Sequence, residues 1–263
     1  MYYDEDVILD IRLNILNKFV SHFVICEANF NHNGTKREFQ FDINKFSKFK
    51  DKIIYIPVED MPDGGNPYLR ENFQRNCIDR GIKNSSPEDL ILISDLDEIP
   101  NPKMLNKFKS KMRFAVFKQM HFYYKFNMQS TINPFWYGSR ICVKKYLKSP
   151  QWLRGLKFKK RSFLRIDKWR LNNIIENGGW HFCNLKTPDE LLYKYKNLCE
   201  TNDPYIFNEK IDSKYLDLDE IKKRILSGED IIGRNEKYNV VDINENFPNF
   251  IRENKDKYKN WII

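Results

Sequence analysis

No stretch of this sequence stays apolar for the roughly 20 residues that a membrane-spanning helix needs. The opening residues, MYYDEDVILD, are acidic where a signal peptide is basic. Cysteine is sparse: Cys26, Cys77, Cys142, Cys183 and Cys199 are an odd five, scattered, with no CxxC. That excludes a disulfide framework and a structural zinc site of the usual spacing. Several of these cysteines sit in apolar runs, where a free thiol behaves as a small hydrophobe. A reducing, cytoplasmic setting is expected. Helix-turn-helix, zinc-finger and RNP1 patterns are missing, so nucleic acid is not the expected partner. There is no internal repeat, low-complexity tract or linker, which predicts one domain over residues 1–263.

What is present is a basic, foldable chain. Hydrophobic residues are 41% of the 263 and charged residues 31%, with a formal charge of +9 and a pI near 9.1. The charge fits a lysine-rich solvated surface, and equally a binder of phosphorylated small molecules.

Elements alternate along the first half. Apolar residues at helical spacing mark DVILDIRLNILNKF (6–19). FVICEA (23–28), KIIYIPV (52–58) and LILISD (90–95) read as short buried strands, and YLRENFQRNCIDRGI (68–82) as a helix. PKMLNKFKS (102–110) reads as helical and RFAVFKQMHFYYKF (113–126) as a long strand. Later, TPDELLYKYKNLCE (187–200) opens with a capping box, Thr187 with Glu190. LDEIKKRILSG (218–228) is a helix stopped by Gly228, and the tail FPNFIRENKDKYKNWII reads as a last helix. Strand–helix–strand order predicts an α/β fold with a Rossmann-like, mainly parallel sheet flanked by helices. Ligands of such sheets sit outside the carboxyl ends of the strands, where Glu27, Asp95 and Asp97 fall.

The run ILISDLDEIP places Asp95, Asp97 and Glu98 at one strand end. Carboxylates two residues apart repel unless a cation lies between them. Mn²⁺ or Mg²⁺ would remove the repulsion and keep positions open for the phosphate oxygens of a nucleotide. A plain polar turn that caps the following helix is the other reading. Upstream, Arg75 and Asn76 can point toward the strand ends, where an arginine suits a phosphate; solvated helix residues are the alternative. In ENGGWHFCNL, His181 follows a Gly-Gly bend and either packs between aromatics or completes a ligand set.

Together these blocks resemble glycosyltransferase family 17. YYDEDVILDIRLNIL is similar to the family's acidic turn and a helix with an Arg-Leu pair, and FVICEANFNHNGTKRE to its strand ending in Glu. RENFQRNCIDRGI matches its Arg-x-x-x-Gln-Arg-Asn helix, LISDLDEIP is the most specific block, and NGGWHF the next. The resemblance implies a GT-A fold and inverting transfer of N-acetylglucosamine from a UDP-sugar donor, UDP-GlcNAc, to a glycan acceptor with Mn²⁺ or Mg²⁺. It implies that Asp95 and Asp97 hold metal and diphosphate, that Glu27, Arg75 and Asn76 line the donor pocket, and that His181 is a late metal or phosphate ligand. For the base that deprotonates the acceptor, Glu176 is the first candidate and Glu98 the alternative. Tyr123, Tyr124 and Trp136 would stack on sugar faces, with core packing as their other role.

Two departures are visible. The family has an apolar strand before the Tyr3-Asp4-Glu5 turn, on which this sequence almost begins, so either that strand is trimmed or the start is internal. The animal enzymes carry a Golgi anchor, and no such segment occurs here. The Lys- and Asn-rich composition suggests a microbial or viral source. A rival reading is a haloacid-dehalogenase-type phosphatase, which also uses Asp-x-Asp after a strand. It wants a small hydroxylated residue where Ile99 stands. A non-catalytic glycan- or nucleic-acid-binding module is the other rival.

Overall fold

The computed structural model describes residues 1–63, 67–157, 173–197 and 211–263. The chain forms two compact units. The first comprises Met1–Gln119 and Tyr137–Trp180, the second Met120–Trp136 and His181–Ile263.

The first unit opens with helix α1 (Asp6–Leu16), which buries Ile8, Leu9, Ile11, Leu13 and Leu16. Each such side chain contributes about 1.5–3 kcal/mol on leaving water. Strand β1 (Phe23–Ala28) pairs in parallel with β2 (Ile53–Val58), Phe23 opposite Ile53 and Glu27 opposite Pro57. Parallel neighbours need a crossover. Here a loop and a run of 3₁₀ turns, Ile43–Lys52, supply it. Helix α2 (Pro67–Asn76) passes into a 3₁₀ segment at Cys77–Ile82, so the helix expected over 68–82 is real but changes pitch halfway.

Strand β3 (Leu90–Ile93) leads into the acidic turn and then β4 (Glu98–Pro100). Its partner is β8 (Arg140–Val143), antiparallel, with Leu90 opposite Val143 and Ile93 opposite Arg140. The first half of β5 (Phe114–Tyr123) also runs antiparallel to β8. The expected mainly parallel sheet is therefore corrected. Parallel pairing holds for β1 with β2, whereas β8 returns from later in the chain and reverses direction beside β3 and β5. The α/β class stands. Where a helix was expected over 102–110, 3₁₀ turns span Pro102–Lys107.

Helix α3 (Pro150–Gly155) starts on Ser149, whose hydroxyl accepts from the Trp152 N–H at 3.1 Å, with proline at its first turn. Cys26, Cys77 and Cys142 are buried in the core of this unit beside Ile78, Ile91 and Leu153. Cys199 lies outside the described residues.

Strand β9 (Ile174–Cys183) pairs with β4. Gly179 makes that approach possible: its φ is +132°, and a Cβ there would stand 2.1 Å from the Ile99 carbonyl oxygen. The glycine pair that marks the NGGW block thus serves the backbone behind the acidic turn.

The second unit contains the end of β5, β6 (Met128–Ser130), β7 (Phe135–Trp136), the last residues of β9 and β10 (Tyr238–Val240). β10 runs antiparallel to β6, Tyr238 opposite Ser130. Helix α4 (Pro188–Asn197) carries the expected capping box: Thr187 N–H donates to Glu190 at 2.7 Å, and the Thr187 hydroxyl accepts from Glu190 N–H. Residues 198–200 of that expected helix lie outside the described residues. Helix α5 (Leu218–Ser227) is capped by Asp217 and stopped by Gly228 in the left-handed region. The expected tail helix is short, α6 (Asn249–Glu253), followed by a 3₁₀ turn at Lys259–Trp261. Tyr124, Met128, Leu191, Ile221, Ile225 and Tyr238 form the core of this unit. Among the described residues no helix is long and apolar enough to cross a membrane.

Candidate active site

The acidic turn is held from three sides. Its backbone closes as a β-turn, with Glu98 N–H donating to Asp95 C=O at 3.2 Å. Arg12, from α1, donates to the carbonyls of Asp95, Leu96 and Glu98 at 3.2, 3.3 and 2.7 Å, and to the Ser94 hydroxyl at 2.5 Å. Arg154, from α3, grips the side chains. It donates to both Glu98 oxygens at 2.5 and 3.0 Å and to Asp95 Oδ2 at 2.8 Å. Arg75, at the end of α2, reaches Asp95 Oδ1 at 3.2 Å while bonding Glu71 and Gln151 at 2.6 Å. Asn76 accepts from the Gln151 N–H at 3.0 Å, which ties α2 to α3.

Charge here is closely matched. Burial alone would raise the Asp95 carboxyl, but Arg154 and then Arg75 overcome it and hold it well below the usual carboxylate range. Burial lowers the Arg12 guanidinium to about 10, against the upward pull of Glu98, Asp97 and Asp95. Arg154 is desolvated too, yet Glu98 and Asp95 raise it above the usual arginine value. Asp97 is half-buried in the same turn.

These residues can accept a divalent cation. Two guanidiniums take one position on each Asp95 oxygen, and a carboxylate offers roughly four lone-pair sites. The Asp95 side chain remains 33% exposed. Oxygen donors of this kind suit Mn²⁺ or Mg²⁺.

Other expected site residues have different places. Glu27 is fully buried. It accepts from the N–H groups of Gln40 and Phe41 at 2.7 and 3.0 Å, from the Tyr55 hydroxyl at 2.9 Å, and pairs with Arg37 at 3.2 Å. Its carboxylate anchors the 37–41 segment and presents no exposed oxygen to a nucleotide, which corrects the donor-pocket expectation. Glu98 is 1% exposed and chelated by Arg154, a poor position for a base that must reach a substrate. Glu176 is 64% exposed on β9 and pairs with Lys118 at 2.9 Å; it takes no part in the Arg154 network. On α2, Arg70 and Gln74 are buried rather than solvated, and both bond His32.

The remaining expected residues belong to the second unit. His181 stacks on His121, ring centroids 4.8 Å apart and planes 5° from parallel, and Trp136 tilts against both. His121 Nδ1 faces the Asn133 carbonyl at 3.0 Å, so that nitrogen carries the proton. Ligand atoms of His121, His181 and Cys183 lie within 4.8 Å of one another. Imidazole lone pairs lie in the ring plane, so stacked rings send them along parallel planes; one ring must turn before both meet one ion. Trp136 is 38% exposed, and Tyr123 lies against His121 at 4.7 Å. Tyr124 is fully buried and donates to Asp230 at 3.1 Å, which corrects its expected place on the acceptor surface: it is a core residue.

Of the residues expected at the site, Asp95, Asp97, Arg75 and Asn76 lie in or beside this turn; Arg154 and Gln151 were not expected, and Arg12 stood out only as half of an Arg-Leu pair. Gln151 and Arg154 are three apart on α3, one face of a short helix in a region without a recognisable pattern.

Comparison with known proteins gives relatives for the chain. The chain is 23% identical to the beta-1,4-mannosyl-glycoprotein 4-beta-N-acetylglucosaminyltransferase of Rattus norvegicus over 96% of its own length and 51% of the relative's. The protein of the same name from Homo sapiens is 23% identical over 95% of this chain and 52% of its own. The chain thus spans about half the length of the curated relatives it matches. The relatives are mammalian and lend no support to the microbial or viral source suggested by composition. No solved structure matches. The Glycosyltransferase family 17 model matches residues 1–257, a span that takes in α1, the acidic turn, α3 and the NGGWHF block alike, and on that match the chain belongs to glycosyltransferase family 17.

Proposed function

We propose that the chain transfers a sugar, N-acetylglucosamine, from a UDP-sugar to a glycan hydroxyl with inversion, and that residues 1–263 act as one GT-A-type catalytic domain. Family membership supports the reaction class, and the names of the relatives support the sugar. The observation that carries the reading is the Asp95-Leu96-Asp97 turn, fixed at the end of β3 with arginines on its flanks. The family match removes the phosphatase alternative.

Asp95 and Asp97 would hold Mn²⁺ or Mg²⁺, which when bound neutralises charge on the departing diphosphate. Arg75 and Arg154 stand where guanidiniums can meet phosphate oxygens by charge-assisted bonds. Asn76 fixes α3, and through it Arg154. Glu98 serves to orient Arg154. Of the two carboxylates considered as bases, Glu176 is the accessible one, and we assign it that role. Trp136 and Tyr123 offer an aromatic face to an acceptor sugar. His181 keeps the indole in place through the ring stack.

The deciding experiment is calorimetry of UDP with and without Mn²⁺. The parent should bind UDP in a metal-dependent way. Asp97→Ala should lose the metal-dependent part at an unchanged melting temperature, because a half-exposed turn acid contributes little to the core. Equal metal-dependent affinity in both proteins overturns the assignment.

A further inference from the structure

We infer that Arg12 is the positioning residue of the acidic turn: it sets the backbone from which Asp95 and Asp97 project, and so the affinity of the site for a metal-bound nucleoside diphosphate. The inference rests on the donor reading given above and adds a residue that reading does not require.

Three observations carry it. First, the contacts of Arg12 are to the turn's backbone and to Ser94, not to the Asp95 or Asp97 side chains. It can therefore fix where the carboxylates point without using any oxygen that a cation or ligand needs. Arg75 and Arg154 do the opposite and hold side chains. Second, two of the carbonyls it takes, those of Asp95 and Leu96, lie in the turn between β3 and β4, and the third is that of Glu98, the first residue of β4. Nη1 alone faces all three, sharing its two hydrogens among them, while Nη2 reaches the Ser94 hydroxyl, and the Asp95 carbonyl is the same one that closes the turn. Opening the turn would break these bonds together, so the turn has one favoured form. Third, Arg12 is half-buried on a helix whose buried residues are all aliphatic, and its guanidinium is desolvated. A guanidinium desolvated there costs stability that an aliphatic residue would not cost. The return is the geometry of the turn.

The fork matters more than the charge. A lysine ammonium is a point charge on a flexible stem with one donor centre, so it cannot hold the three carbonyls and the Ser94 hydroxyl together from two nitrogens fixed in one plane. Partners that orient metal ligands typically cost about 10–100-fold in metal affinity when removed.

The test compares the parent with Arg12→Lys and Arg12→Ala by calorimetry of Mn²⁺ and UDP, thermal melting, and hydrogen exchange of the 94–98 amides without ligand. In Arg12→Lys, metal-dependent UDP affinity should fall about 10–100-fold. Exchange at 94–98 should quicken while the rest of α1 and β3 keeps parental protection. In Arg12→Ala, millimolar guanidinium should restore slow exchange and UDP affinity, and equal sodium chloride should not. Parental exchange at 94–98 in Arg12→Lys overturns the inference. So does an affinity loss that only tracks the unfolded fraction, or an Arg12→Lys protein that does not fold, which would make Arg12 a residue of the core. If the parent itself binds no UDP with Mn²⁺, the donor reading falls, and the exchange measurements alone decide the role of Arg12.

Discussion

Asp95 couples the site to acid stability. Burial opposes its ionisation, but Arg154 and Arg75 more than offset that, so its folded pKa lies below the ordinary value of 3.8. A carboxyl depressed on folding stabilises fully above its unfolded pKa, and the contribution is lost as pH falls through the folded value. The parent should therefore lose stability as pH drops below about 4. Asp95→Asn should flatten that part of the profile, as urea unfolding from pH 5 to pH 2 would read. An unchanged acid limb would mean that the two arginines do not hold this carboxylate in solution. Asp95 and Arg75 were legible in the sequence because a strand end and a motif point at them. The part played by Arg12, visible only as half of an Arg-Leu pair, and the presence of Arg154 were not, because an arginine on a helix reads as solvated until its partners, 83 and 59 residues away, are known. Glu27 misled in the other direction. It does end a strand, but its carboxylate turns inward to Gln40, Phe41 and Tyr55.

At the level of elements, runs of apolar residues located the strands well: β1 falls at Phe23–Ala28, as read. Their direction was not legible. A buried strand has the same composition whichever way its neighbour runs, and β8, the partner of β3, lies in a stretch of aromatic and basic residues with no clear period. The NGGW block was read as a bend that places a histidine, whereas Gly179 mainly lets β9 pass close to β4. Gly179→Ala tests this. Its Cβ would collide with the Ile99 carbonyl at a backbone angle that L-residues avoid, at a cost of roughly 1–3 kcal/mol from strain alone. We expect a lower melting temperature together with weaker metal-dependent UDP binding, because Ile99 follows directly on the acidic turn. Parental stability would show that the two backbones are not tightly apposed.

For the whole molecule, the proposed donor and acceptor roles fall in different compact units, and that division is measurable. Trp136→Ala removes an exposed indole of the second unit. It should raise the KM for the glycan acceptor at least several-fold while leaving the calorimetric affinity for UDP and Mn²⁺ at the parental value, since stacking on an indole is worth about 1 kcal/mol. A parallel loss of UDP affinity would remove Trp136 from the acceptor face.

The buried thiols carry a practical consequence. Burial pushes Cys26 and Cys142 up to about 12 and raises Cys77 as well, and all three are buried, so the folded first unit shields these thiols from reaction. An alkylating reagent reaches them only when that unit opens. Pulsed labelling followed by mass spectrometry would then time the opening of the first unit from inside the native chain, with no dye or tag attached. Cys183, half-buried in the second unit, would report separately in the same experiment.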